Sequence, residues 1–250
     1  MRRLLSLALL GLLPALLMAQ EHPHAAPHWS YGGDTGPGHW GDLESDYSAC
    51  KSGTRQSPID IHKAEPAHLP ALHFAYQAVP LTIVNNGHTI QVNYAPGSFV
   101  RIEGHQYQLV QFHFHHPSEE KVDGHAYDMV AHLVHKDAEG HLAVVAVLLT
   151  KGQANSLIRT LWEHLPQRVG HEETVPHVRV NAADFLPKHR GYYAFDGSLT
   201  TPPCTEGVRW IVLREPRELS PSEIATFDKL YHDNARPTQP SNGRAVKESS

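Results

Sequence analysis

Residues Gln111-Phe112-His113-Phe114-His115-His116 place two imidazoles two positions apart in a run that alternates polar and apolar side chains. Successive strand side chains point to opposite faces, so the run predicts a β-strand with Gln111, His113 and His115 on one face and Val110, Phe112 and Phe114 on the other. The apolar set suits a packed core and the polar set a cleft. Two neutral imidazoles aimed at one point supply two ligands of a transition-metal site, for which zinc is the best match. A third ligand would complete a centre fit for metal-assisted chemistry. The chain holds 21 histidines in 250 residues, so about two His-x-His pairs are expected from composition alone. A second pair does occur, at His22-Pro23-His24.

The setting separates the first pair from the second. Another strand-like run, Met129-Val130-Ala131-His132-Leu133-Val134-His135, follows it. That run passes through the turn Lys136–Gly140 into the apolar stretch Leu142–Leu149. An imidazole such as His132 inside a sheet needs a partner, and a metal ion is one way to provide it.

The elements that must hold these residues can be read from the rest of the chain. Strands are expected at Leu81–Val84, Thr89–Tyr94, Phe99–Ile102, Gln106–His115, Tyr127–Val134, Leu142–Leu149, Tyr192–Ala194 and Val208–Leu213, punctuated by Asn86-Gly87, Pro96-Gly97 and Glu103-Gly104. Helices are few. Ser156–Leu165 carries Leu157, Ile158, Leu161 and Leu165 on one face, and Ser220-Pro221-Ser222-Glu223 reads as a capping box opening a second helix through Ile224, Phe227 and Leu230. The pattern predicts a mainly β (α+β) fold: one domain on a large, twisted, predominantly antiparallel central sheet with a few peripheral helices. Its expected limits are 28–246, with 247–250 as a C-terminal tail.

Arg2 and Arg3 precede an apolar stretch, Leu4–Leu17, which is too short for a comfortable membrane span and reads as a signal peptide, 1–19, cleaved after Ala19. Residues 20–27 form a His/Pro-rich tail expected to be flexible. The net charge of −5 becomes more negative by two once Arg2 and Arg3 leave, which argues against nucleic acid as a partner. Export to the periplasm or the medium, with no stable membrane anchor, is the expected fate. In an oxidising compartment the two cysteines, Cys50 and Cys204, are expected to pair. The loop so closed would stabilise the fold by roughly 5 kcal/mol at most.

The ordered segments His28-Trp29-Ser30-Tyr31, Arg55–Asp60, Asn85-Asn86-Gly87-His88, Gln111–His115, Ala131–His135, Gly197–Cys204, Trp210–Leu213 and Arg236–Pro240 resemble the alpha-class carbonic anhydrases over most of the chain. The leader and cysteine pair resemble the exported bacterial members. The resemblance implies Zn2+ held by His113, His115 and His132, with the fourth position left for water. It implies reversible hydration of carbon dioxide to bicarbonate and a proton, by zinc-hydroxide attack. Thr200 resembles the gatekeeper threonine, Glu119 the carboxylate that fixes it, and His88 the proton shuttle. Val134, Val144, Leu199 and Trp210 match the apolar wall that receives carbon dioxide, and Thr201 a contact to bicarbonate. Gln111 and the Asn234 carbonyl match groups that orient His113 and His115. Sulfonamides and small anions are the implied inhibitors, and a homodimer is left open.

Two positions depart from that pattern. Val130 stands where many members have a glutamate facing the third ligand, and Glu120 where a histidine often follows the gatekeeper's glutamate. Valine cannot accept an imidazole proton, so either another acceptor, a displaced side chain or water, serves His132, or zinc is held more weakly. Two other readings compete. In a cupin-like metal site, His113-x-His115-x-x-x-Glu119 would make Glu119 a ligand, although no second half of that motif follows. A non-catalytic zinc-binding protein on the same scaffold would draw on the His-rich tail.

Overall fold

The computed structural model describes residues 28–249; the expected signal peptide and His/Pro-rich tail lie outside them. The main strands are β1 (Glu65–Ala67), β2 (Val79–Asn85), β3 (Ile90–Asn93), β4 (His105–His115), β5 (Met129–Lys136), β6 (Leu142–Lys151), β7 (Glu172–Val180), β8 (Tyr192–Ser198), β9 (Glu206–Leu219) and β10 (Lys247–Ser249). They form one sheet in the order β7-β2-β3-β4-β5-β6-β9-β8-β10-β1, and the short strands His73–Ala75 and Phe99–Ile102 extend it beside the start of β4. Most neighbours are antiparallel; β6 with β9 and β10 with β1 are parallel. Segment 247–249, read from sequence as a tail, is therefore part of the sheet, paired with β8 and β1.

Alternation sorts the central strands into two layers. One face sends Leu109, Phe112, Phe114, Ala131, Leu133, Val145, Val147, Ile211 and Leu213 into the larger core. The other sends Val130, Val144, Ala146, Leu148, Trp210 and Val212 into a second apolar cluster. His132 lies on this second face, between Val130 and Val134 in the alternation of β5.

Val110 departs from the expected pattern. It is 37% exposed, while Leu109 is fully buried. The cause is a β-bulge: Val134 pairs with Gln111, but the next residue, His135, pairs with Leu109. Val110 is the extra residue, left without a partner on β5, and the alternation reverses across it. Downstream of the bulge the register is regular, so Phe112 and Phe114 stay in the core and His113 on the opposite face.

Two helices lie against the sheet. The first, α1 (Ser156–Trp162), is capped by Asn155, whose side chain accepts from the Leu157 and Ile158 N–H groups, and it ends before the expected Leu165. The second, α2 (Pro221–Asp228), opens with the full capping box of Ser220 and Glu223. Glu223 also accepts the Asn155 N–H at 3.1 Å, tying the helix starts together. The strand β7 was not legible in the sequence: it pairs only with β2 along the edge, and most of its residues are exposed. An edge strand with little apolar alternation reads as loop.

The bulge gives a contrast that denaturant unfolding can measure. Phe112→Ala is expected to cost about 3–5 kcal/mol, and Val110→Thr about 0.5 kcal/mol or less. Comparable losses would contradict the placement of the bulge.

Candidate metal centre

Register brings the three histidines together. His113 on β4 pairs directly with His132 on β5, and His115 follows two residues along the same face of β4. The ring centroids of His113 and His115 lie 5.0 Å apart, those of His113 and His132 5.5 Å, and those of His115 and His132 4.7 Å. One nitrogen from each ring falls in a group whose members are all within 4.8 Å of one another.

The other nitrogen of each ring is already committed. His113 Nδ1 donates to Gln111 Oε1 at 2.8 Å, and His115 Nδ1 to the Asn234 carbonyl at 2.7 Å. His132 Nε2 lies 3.0 and 3.1 Å from the two Glu120 oxygens. Each imidazole N–H therefore has an acceptor, which leaves His113 Nε2, His115 Nε2 and His132 Nδ1 as lone-pair nitrogens facing one another. The acceptor that Val130 cannot supply is a displaced side chain, Glu120.

Burial keeps His113 and His115 neutral and available to a cation. Desolvation, reinforced by His132, lowers the pKa of His113 to about 3 and that of His115 well below its ordinary value. Burial also works against a charge on His132, but Glu120 and then Glu119 outweigh it, so its pKa is raised. His115 Nε2 is buried and has no hydrogen-bond partner. A buried, orphaned lone pair beside two others is what a four-coordinate zinc ion with imidazole ligands satisfies. The donor set fits the metal.

Glu119 stands beside these nitrogens, its Oε2 3.5 Å from His115 Nε2 and 3.8 Å from His132 Nδ1. Its Oε1 accepts the Arg236 N–H at 2.7 Å. Burial pushes its pKa up to about 8, with His132, the Arg236 N–H and the Thr200 hydroxyl pulling down and Glu120 pushing further up. A dication held by the histidines would favour the ionised form. Thr200 itself is buried, in the loop between β8 and β9.

That loop is held from several sides. Ser57 and Ser198 exchange hydrogen bonds, each N–H donating to the other's hydroxyl, at 2.9 and 3.1 Å. Cys204 is bonded to Cys50, and Gln56 donates to the Cys204 carbonyl at 3.0 Å. The buried Arg236 guanidinium donates to Gln56 Oε1, the Ser57 carbonyl and the Cys50 carbonyl at 2.8, 2.7 and 3.0 Å. Arg236, Gln56, Ser57 and Ser198 all lie in the segments that carry the family resemblance, yet nothing in the sequence showed that they brace one loop.

The sheet lines up an apolar row beside the metal row. Gln91, His113, His132, Ala146 and Val212 are successive cross-strand partners. Two residues along, Gln111, Val134, Val144 and Trp210 form the next row on that face. Val144 and Trp210 belong to the second apolar cluster, with Val134 and Leu199 packed against it. The Trp210 ring meets His132 edge-on at 5.0 Å. Thr201 stays in the turn after Thr200, its carbonyl accepting the Cys204 N–H at 2.8 Å. His88, in the turn between β2 and β3, stacks on Trp29 at 3.6 Å and on His28 at 5.0 Å.

Comparison with known proteins agrees with this geometry. Residues 35–250 match the family described as eukaryotic-type carbonic anhydrase. A carbonic anhydrase of Pectobacterium carotovorum is 44% identical over 220 residues, 88% of this chain and 90% of that one. A hyperthermostable carbonic anhydrase from an active hydrothermal vent chimney superposes with a TM-score of 0.87 at 47% identity, over 89% of this chain and 100% of that one. The alpha-carbonic anhydrase of Thermovibrio ammonificans, solved with sulfanilamide, superposes with a TM-score of 0.85 at 43% identity, over 88% and 98%. The chain belongs to the eukaryotic-type, alpha-class carbonic anhydrases. Its reaction is the zinc-dependent, reversible hydration of carbon dioxide to bicarbonate and a proton. The cupin-like reading falls with this family assignment, and the non-catalytic reading is not favoured by it.

Replacing any one of His113, His115 and His132 with Ala is expected to abolish stoichiometric zinc, measured by elemental analysis after gel filtration. Stripping zinc with a chelator is expected to lower the unfolding temperature, since the binding free energy is lost and two buried carboxylates lose their countercharge. Zinc retained in all three variants would contradict the site.

Proposed function

We propose that His113, His115 and His132 hold the zinc, that Thr200 and Glu119 orient the attacking water, and that His88 carries the proton away. The observation that supports this most is the convergence of one nitrogen from each of three imidazoles, the other nitrogen of each ring being held by its own acceptor. Zinc bound there would supply the positive charge that brings the ionisation of a water from 15.7 to about 7. The chain's own groups do the rest. An ionised Glu119 can only accept hydrogen bonds. With one oxygen taken by the Arg236 N–H, it draws the Thr200 hydroxyl proton to itself. The threonine oxygen must then accept from the water, which leaves a lone pair of the water free for the carbon.

Carbon dioxide is uncharged and a poor hydrogen-bonding partner, so it suits the apolar wall of Val134, Val144, Leu199 and Trp210 beside His132. Thr201 would meet the bicarbonate product. In the stacked arrangement, burial first and His28 second lower the His88 pKa to about 4. A relay working near neutrality needs a ring released from that stack, where its ordinary value of 6.5 returns.

The leader read from sequence and the Cys50–Cys204 bond support export to the periplasm or the medium. No helix among the described residues is long and apolar enough to cross a membrane. Sulfonamides are inferred as inhibitors from the relative solved with sulfanilamide, and small anions from the resemblance read in the sequence.

Stopped-flow hydration of carbon dioxide by zinc-loaded protein, suppressed by a sulfonamide, is the expected result. A rate equal to that of buffer alone would reject the reading. In dilute buffer His88→Ala is expected to turn over on the order of 10³ s⁻¹, the limit for proton release to plain water at near-diffusional recapture. Added imidazole should restore the rate. Trp29→Ala is expected to raise the His88 pKa, followed by NMR, from about 4 toward 6.5. An unmoved titration would remove the stack as its cause.

A further inference from the structure

Glu120 is fully buried, and its carboxylate meets one donor among the described residues, His132 Nε2, at 3.0 and 3.1 Å. A buried carboxylate with a single imidazole partner is expensive unless that partner carries or transmits positive charge. The loop that presents it is fixed. The Ser118 hydroxyl donates to the Glu120 carbonyl at 2.8 Å, the Ser118 N–H to the Tyr127 carbonyl at 3.0 Å, and the Lys121 N–H to the Ile59 carbonyl at 3.3 Å. The strand that carries His132 offers no acceptor of its own on that face. Val130, two residues upstream, is fully buried in the apolar cluster with Val144, Ala146 and Leu148.

We infer that Glu120 is the positioning residue of the third ligand, reaching His132 from the loop before β5 rather than from β5 itself. By accepting the hydrogen bond from Nε2–H it sets the tautomer in which Nδ1 faces His113 and His115, and it locks the ring plane. The neighbouring Glu119 turns the other way, its Oε1 accepting the Arg236 N–H at 2.7 Å and its Oε2 lying 3.5 Å from His115 Nε2. One short loop between Pro117 and Lys121 thus governs both a metal ligand and the gatekeeper, a coupling that a carboxylate at position 130 would not create. The inference rests on the three imidazoles holding zinc.

The test is zinc affinity of the full chain, by competition with a chromophoric chelator, alongside the unfolding temperature of the zinc-free protein. Glu120→Leu, which keeps bulk but accepts nothing, is expected to bind zinc about 10–100-fold more weakly. Glu120→Gln, whose amide oxygen still accepts, should recover part of that loss. Glu120→Leu combined with Val130→Glu should recover more than half of it on a logarithmic scale, by returning a carboxylate to the His132 face. A Glu120→Leu affinity within twofold of wild type would overturn the inference. So would a loss that neither Gln nor Val130→Glu repairs, since that is a packing defect. If Glu120→Leu does not fold, Glu120→Gln decides: a severalfold weakening is expected, and an unchanged constant overturns it. Wild-type protein without stoichiometric zinc would instead fail the histidine site itself.

Discussion

The direct pairing of His113 with His132 across two antiparallel strands is the constraint on which the rest depends. It puts two imidazoles on one face at neighbouring positions, and the period of the strand adds His115. A slip of one residue would send both β4 histidines into the phenylalanine core, so the burial of Phe112 and Phe114 protects the metal site as firmly as any bond within it. The bulge at Val110 matters for the same reason. It absorbs an irregularity just upstream, and the register at Gln111 and beyond stays true.

Convergence alone would not make a site. Each ring has two nitrogens, and the wrong tautomer would present a proton where a lone pair is needed. Three different kinds of acceptor settle the choice: a side-chain amide, a backbone carbonyl and a carboxylate. Charge is balanced on the same principle. Two adjacent buried carboxylates would repel each other in an empty cavity, and a dication between their partners makes the arrangement reasonable. The Cys50–Cys204 bond, Gln56 and Arg236 then hold the Thr200 loop to the same body of protein that fixes Glu119.

The two histidine strands, the apolar strand after them and the capped helix at Ser220 were all legible, because each has a clean periodicity or a local capping signal. The edge strand β7 and the strand at Lys247–Ser249 were not. Their residues gain strand geometry only from a partner far away in the chain, and local composition does not report a partner. The metal triad was half legible from residues alone; His132 gained its place from resemblance and from register. That Val130 deprives His132 of an acceptor was visible in the sequence, but not that Glu120, ten positions earlier and on a loop, fills the gap. Ser118 and Lys121 aim that carboxylate through backbone hydrogen bonds that no spacing rule encodes. Position 110 misled for the opposite reason, since a valine in an alternating run gives no sign of a bulge.

X-ray absorption at the zinc edge of the loaded protein tests the central claim most directly. The expected spectrum shows three imidazole nitrogens at about 2.0–2.1 Å and one further light atom, with no sulfur. A spectrum requiring fewer than three imidazoles, or a thiolate among the ligands, would contradict it.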